Sequence, residues 1–139
     1  MGTLVIDTGT DIVGIYSVDD GTYHPYRGDD IRLALKLIAC ADEVVTYNGK
    51  HYDLLELGKF AGMSVQFPLK GKHTDMRSIC WSDRIFGRDL LTTYRMHFDS
   101  CPEFPPTHEG VNNRDVYVTF KLWELWNRGE LKVLDAHQV

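Results

Sequence analysis

The chain has 139 residues, 43% of them hydrophobic, 12% aromatic and 25% charged, which excludes a disordered or collagen-like protein. That length suits one domain with its own core, expected to span residues 1–139. Fifteen basic against twenty acidic residues leave a net charge of −5, which excludes bulk electrostatic binding of nucleic acid but not an enzyme that gathers metal ions with carboxylates.

The first elements read as strands. Thr3–Ile6 is short and apolar and ends in Asp7-Thr8-Gly9-Thr10-Asp11; Ile12–Val18 is a second run. Asp19-Asp20-Gly21 is a turn signal, after which Thr22-Tyr23-His24 begins a third strand that Pro25 is expected to halt. The period then changes. Ile31, Ala34, Leu35, Ile38 and Ala39 form a helical stripe, with Asp29 or Asp30 as its expected N-cap. Val44–Tyr47 is a compact fourth strand, broken by Asn48-Gly49, and a helix is predicted from about Tyr52 to Ala61 with Gly62 ending it. His73–Met76 is a further short strand. Ser78–Phe98 has helical tendency interrupted near Gly87, and the prolines of residues 99–110 predict a loop. Asn112 or Asn113 is expected to cap a last helix reaching about Asn127, followed by a tail with little pattern. The order predicts an α/β fold with a mixed sheet: an antiparallel three-strand meander, then parallel strands, flanked by helices.

Three aspartates occupy telling places in that order. Asp7 ends the first strand, Asp53 follows the fourth, and Asp115 is expected in the first turn of the last helix. Each alone is ordinary turn or helix-terminus chemistry. Brought together, three carboxylates would repel unless a hard cation such as Mg²⁺ or Mn²⁺ neutralised them. Two such ions about 3.5–4 Å apart activate water and stabilise the leaving oxygen in phosphodiester hydrolysis.

The frames around these residues resemble the DEDD 3′–5′ exonuclease superfamily, the DnaQ-like branch of the ribonuclease-H-like fold, and among it the compact YprB-type members. Leu4-Val5-Ile6-Asp7-Thr8-Gly9 matches the strand ending in Asp-x-Glu; Asn48-Gly49-Lys50-His51-Tyr52-Asp53 matches Asn-x(2–3)-Phe/Tyr-Asp; Asp115-Val116 matches the motif of the last helix. The resemblance implies a metal-dependent exonuclease. It gives Asp7, Asp53 and Asp115 as ligands of Mg²⁺ or Mn²⁺, and Thr8, Asn48 and Tyr52 as contacts to a single-stranded nucleic-acid end. Two departures accompany it. Gly9 stands where the family has Glu, so activity is expected to be impaired unless Asp11, Asp75 or Glu109 substitutes. The general-base positions, four and five before Asp115, hold Val111 and Gly110, leaving His108 or Glu109 as the nearby candidates for base or ligand.

Charge is unevenly distributed. Lys70, Lys72, Arg77, Arg84, Arg88 and Arg95 face only three aspartates in the same stretch, a local +3 against −8 for the remainder. That stretch, Arg84 and Arg88 included, is the expected backbone contact. Tyr47, His51, Tyr52 and Trp81 are the candidates to stack on bases. The alternative is a non-catalytic module that binds nucleic acid or protein, with a protein partner or a second copy of the chain as its occupant. A Cys₂His₂ zinc centre from Cys80, His97, Cys101 and His108 is a weaker expectation, since no close cysteine pair exists. Three cysteines without a leader-like N-terminus, and no apolar run of about 18 residues, point to a cytoplasmic protein outside the membrane.

Overall fold

The computed structural model describes residues 2–82 and 88–135. Strands β1 (Thr3–Gly9), β2 (Ile12–Ser17) and β3 (Thr22–Arg27) form the meander. Helix α1 (Ile31–Cys40), β4 (Glu43–Thr46), α2 (Asp53–Phe60) and β5 (Lys72–Asp75) follow, then α3 (Met76–Cys80), α4 (Leu90–Arg95) and α5 (His108–Asn127). The sheet order is β3-β2-β1-β4-β5. β1 pairs antiparallel with β2 and parallel with β4, and β5 continues parallel. This is the mixed α/β arrangement expected of a ribonuclease-H-like chain.

Alternation along the central strands explains the two layers. Leu4, Ile6 and Val44 pack under α1 and α2 with Ile38, Leu54 and Leu57. Val5 and Val45 face the other way, onto Met76, Val116 and Leu122 of α3 and α5. A period of two sends successive side chains to opposite faces. Thr8 therefore shares the α2 face, whereas Asp7 and Gly9 share the α5 face.

Several boundaries differ from expectation. Pro25 does not halt β3, which runs on to Arg27. As an edge strand, β3 tolerates a residue that has no N–H to donate. Asp29 and Asp30 form a 3₁₀ turn and neither side chain caps α1. The last helix begins at His108, a turn earlier than Asn112, because Thr107 caps it through a 3.0 Å bond from the Gly110 N–H. His108 and Glu109 are thus helical rather than loop residues, and Asp115 lies two turns into α5. The tail is not idle. Leu134 bridges Trp81, with its N–H donating to Cys80 O at 2.7 Å and its carbonyl accepting from Ser82 N at 2.9 Å. Arg84 and the expected break at Gly87 lie outside the described residues. Among the described residues no helix is long and apolar enough to cross a membrane.

Candidate active site

Asp7 and Asp53 line one cleft where the parallel strands end. Asp7 pairs in register with Gly14 of β2 and is reached from α5 by Asn112. The Asn112 Nδ2 group donates to the Asp7 carbonyl at 2.9 Å and to Asp7 Oδ2 at 3.3 Å. Its Oδ1 accepts a 2.6 Å bond from the Tyr23 hydroxyl. Gly14 makes this possible, because a Cβ there would collide with Asn112 Oδ1. Asn112, expected as a helix cap, is therefore a buried clamp on Asp7. Its i, i+3 spacing to Asp115 was the signal available in the sequence.

Asp53 opens α2, and its Oδ1 accepts from both Thr8 N (3.1 Å) and Thr8 Oγ1 (2.6 Å). Thr8, expected to touch substrate, lines the cleft and also positions Asp53. Asn48 adopts φ +62°, and its N–H donates to Asp75 Oδ1 at 2.6 Å. Gly49 follows because a Cβ would strike the Thr46 side chain. The Asn-Gly pair thus shapes the turn that delivers Asp53 to the site.

The three aspartates act on one another. Burial, then the Asp53 and Asp115 charges, push the Asp7 carboxyl well above its ordinary range, opposed by Arg114. Burial raises Asp53 to about 6 against the lowering Thr8 hydrogen bonds, with Asp75 and Asp115 adding to the rise. Asp115 is raised by burial and lowered by the Arg114 guanidinium. The structure brings these three into one electrostatic cluster. As they stand, however, no three His, Cys, Asp or Glu side chains among the described residues are gathered closely enough to hold a metal ion. The donor set fits a hard cation in type, since it is all carboxylate oxygen. Its geometry is open.

A cleft of about 470 Å³ runs beside Asp7, Thr8, Gly9 and Thr10 on one side and Tyr47, Tyr52, Asp53 and Glu56 on the other. Beyond Tyr52 and Glu56, which border both, a second hollow of about 370 Å³ reaches Lys59 and Met63. Tyr52 stands 58% exposed at the junction, so its ring is available for stacking. Trp81 is buried. Its indole N–H donates to Thr93 Oγ1 at 2.7 Å, and Tyr47 OH shares a 2.7 Å bond with the same oxygen.

Of the carboxylates expected to substitute at position 9, Asp75 and Glu109 have other partners. Asp75 holds the Asn48 and Lys50 N–H groups and caps α3 through Arg77 N. Glu109 lies 3.9 Å from Arg27 in an exposed pair. Asp11 is an exposed turn residue at φ +53°. Glu56, one helical turn beyond Asp53, lines the cleft along with Asp7 and Asp53, and its i, i+3 spacing was legible in the sequence. It pairs with Lys59 at 3.1 Å. His108 is exposed, seven residues before Asp115 and so about 10 Å along the helix axis.

Among the described residues the basic stretch does not form one strip at the cleft. Lys72 starts β5, at the end of the sheet opposite the aspartates, 3.9 Å from Glu43 and 5.7 Å from the Trp126 ring centroid. Arg88 lies 4.7 Å over the Trp81 ring. Of the zinc candidates, His97 bonds Thr93 O at 3.0 Å and Lys132 O at 2.8 Å, and Cys80 is buried in the core, so these residues are not assembled as a centre. Comparison with protein-family models and with curated proteins finds no match.

Proposed function

We propose that this chain is a metal-dependent 3′–5′ exonuclease with a weakened site, acting on single-stranded nucleic-acid ends in the cytoplasm. One observation carries the reading: aspartates from β1, α2 and α5, far apart in sequence, act on one another's charge, and Asp7 and Asp53 line one open cleft. Uncompensated buried carboxylates are costly, and clusters of perturbed groups in clefts are where catalysis is found. Asp7, Asp53 and Asp115 would hold Mg²⁺ or Mn²⁺. When bound, such an ion lowers the pKa of water and stabilises charge on the phosphodiester. The chain's own residues do the rest. Asn112 orients Asp7, Thr8 orients Asp53, and the exposed Tyr52 ring receives a terminal base. The free thiols of Cys40, Cys80 and Cys101 suit a reducing compartment.

The test is degradation of end-labelled single strands with Mn²⁺ and with EDTA. Shortening from the 3′ end in Mn²⁺ alone supports the reading; intact strands in every divalent ion sink it. The open geometry and the Arg114–Asp115 pair favour a second reading, a non-catalytic module on the same fold. Its mark would be nucleic-acid or protein binding indifferent to EDTA.

Gly9→Glu is expected to strengthen activity, since residue 9 shares the α5 face with Asp7. The new Cβ would lie 2.9 Å from Ile12 Cγ2, so the gain is expected in full only with Ile12→Leu, which removes that β-methyl. A rise of about tenfold in Mn²⁺-dependent rate, equivalent to ~1.4 kcal/mol, is the expected outcome. An unchanged rate in the folded double variant means residue 9 does not reach the site.

A further inference from the structure

Tyr52, Leu55, Glu56 and Lys59 follow one another at i, i+3, i+4 and i+7, the spacing of a single stripe along α2. Together with the segment that returns after α2, this stripe walls the second hollow, of about 370 Å³. Such a volume lies within the range of small-molecule sites. The two walls are joined through backbone: Met63 N–H donates to Gly58 O at 2.8 Å and Phe67 N–H to Leu54 O at 2.9 Å. Gly58 allows the close approach, because a Cβ there would strike the Val65 carbonyl. Tyr52 and Leu55, 58% and 39% exposed, leave apolar surface open to solvent, and Met63 adds an adaptable side chain to the lining.

The two spaces differ in charge. Among the described residues, the cleft is lined by the carboxylates of Asp7, Asp53 and Glu56 and by no lysine or arginine. The adjoining hollow carries the Lys59 ammonium and His51. Lys59 lies 3.1 Å from Glu56, but both side chains are open to water, at 70% and 43%. An exposed ion pair of this kind is loosely held, so the ammonium can exchange the carboxylate for a phosphate.

We infer that the second hollow is the subsite for the nucleotide next to the last one of a single strand, with Lys59 on its phosphate and Leu55 and Met63 against its base. This rests on the reading of the cleft as the seat of the strand's end. Tyr52 borders both spaces, so its ring divides the terminal base from its neighbour. Asp53 is the next residue in the chain, and the linkage between the two nucleotides passes beside its carboxylate. Only an unpaired base can enter the hollow, and contact with the face of a base is tolerant of sequence. The subsite itself needs no metal ion.

The experiment measures affinity in EDTA for three strands: a dinucleotide with a 5′-phosphate, the same without that phosphate, and the same lacking its first base. The proteins are the wild type, Lys59→Gln, and Lys36→Gln, which makes the same change of charge at an exposed position of α1. Glutamine is a good helix former, and melting curves establish folding. On the wild type and Lys36→Gln, loss of the 5′-phosphate is expected to weaken binding about tenfold. On Lys59→Gln that loss is expected to cost little, because its partner is already gone. Loss of the first base is expected to cost the wild type about tenfold or more. A 5′-phosphate worth as much to Lys59→Gln as to the wild type, or a first base worth nothing, would overturn the subsite while leaving the nuclease reading intact. Where the dinucleotide does not bind in EDTA, the same comparisons are made on KM for its degradation in Mn²⁺, and the same outcomes decide. Neither binding nor degradation by the wild type would overturn the reading of the cleft and the subsite with it.

Discussion

Asp7→Asn is expected to reduce Mn²⁺-dependent strand degradation by about a thousandfold, to background. The reasoning is one of charge without shape. Asn112 would still donate to the residue 7 carbonyl, and the new side-chain oxygen could accept the 3.3 Å bond now made to Oδ2. β1 would still pair with β2 and β4 through its backbone. What disappears is a carboxylate whose charge acts on both other aspartates. Metal-borne charge stabilisation is worth several kcal/mol, and about 4 kcal/mol corresponds to roughly that thousandfold factor. The rate is to be measured on labelled single strands, with melting curves run in parallel. A folded Asp7→Asn variant that degrades strands within about threefold of the wild type, a difference under ~1 kcal/mol, would remove Asp7 from the mechanism.

Much of the scaffold was legible because local signals and tertiary placement agree. The stripe of Ile31, Ala34 and Ile38 is the buried side of α1, and Asn48-Gly49 marks a turn whose φ of +62° at Asn48 ordinary residues avoid. Misreadings arose where a neighbour outside the local window decided. Pro25 reads as a stop until β3 is known to be an edge strand. Asn112 reads as a cap until Gly14, ninety-eight positions earlier, is seen to leave room for its amide. Thr107 supplies a cap in its place, so the helix begins before the residue that seemed to start it.

The candidate site divides along the same line. Asp7, Asp53 and Asp115 could be nominated because each has a frame of its own in the chain. Their supports have none. Thr8 positions Asp53 only because alternation on β1 turns it to the α2 face while Asp7 looks to α5. The pairing of Arg114 with Asp115 at 3.0 Å carries no signal either, since a charged residue beside an Asp on a helix is commonplace. Net sequence charge misled in one respect. The +3 stretch from Lys70 to Arg95 is contiguous in sequence, yet Lys72 falls at the far end of the sheet and Arg88 over a buried indole.

Metal-free Asp53→Asn is expected to be more stable than the wild type at pH 7.5, by on the order of 2 kcal/mol or several degrees in Tm. Asp53 is 4% exposed and burial lifts its carboxyl to about 6. In the unfolded chain an Asp ionises near pH ~3.9. Between those values the folded protein holds a proton that the unfolded chain has released, so stability falls as pH rises through the interval and levels off above the folded pKa. Asparagine has no proton to lose, and its Oδ1 can accept both Thr8 hydrogen bonds. The α2 dipole acts the other way, favouring the carboxylate at its first turn, but by ~0.3–1 kcal/mol, which is the smaller effect. His73, lowered mainly by burial, also opposes the trend, because its stabilisation is lost as pH falls. It is present in both proteins, so the quantity to measure is the difference between their melting temperatures in EDTA from pH 4 to 7.5. That difference should be near zero at the acid end and favour Asp53→Asn at the alkaline end. Mn²⁺ should then reverse the order at pH 7.5, since an ion bound only by the folded wild type stabilises it by mass action. If Asp53→Asn is instead the less stable protein at pH 7.5 without metal, Asp53 serves the fold as an acceptor for Thr8, and the cluster is not the strained anionic site from which the nuclease reading follows.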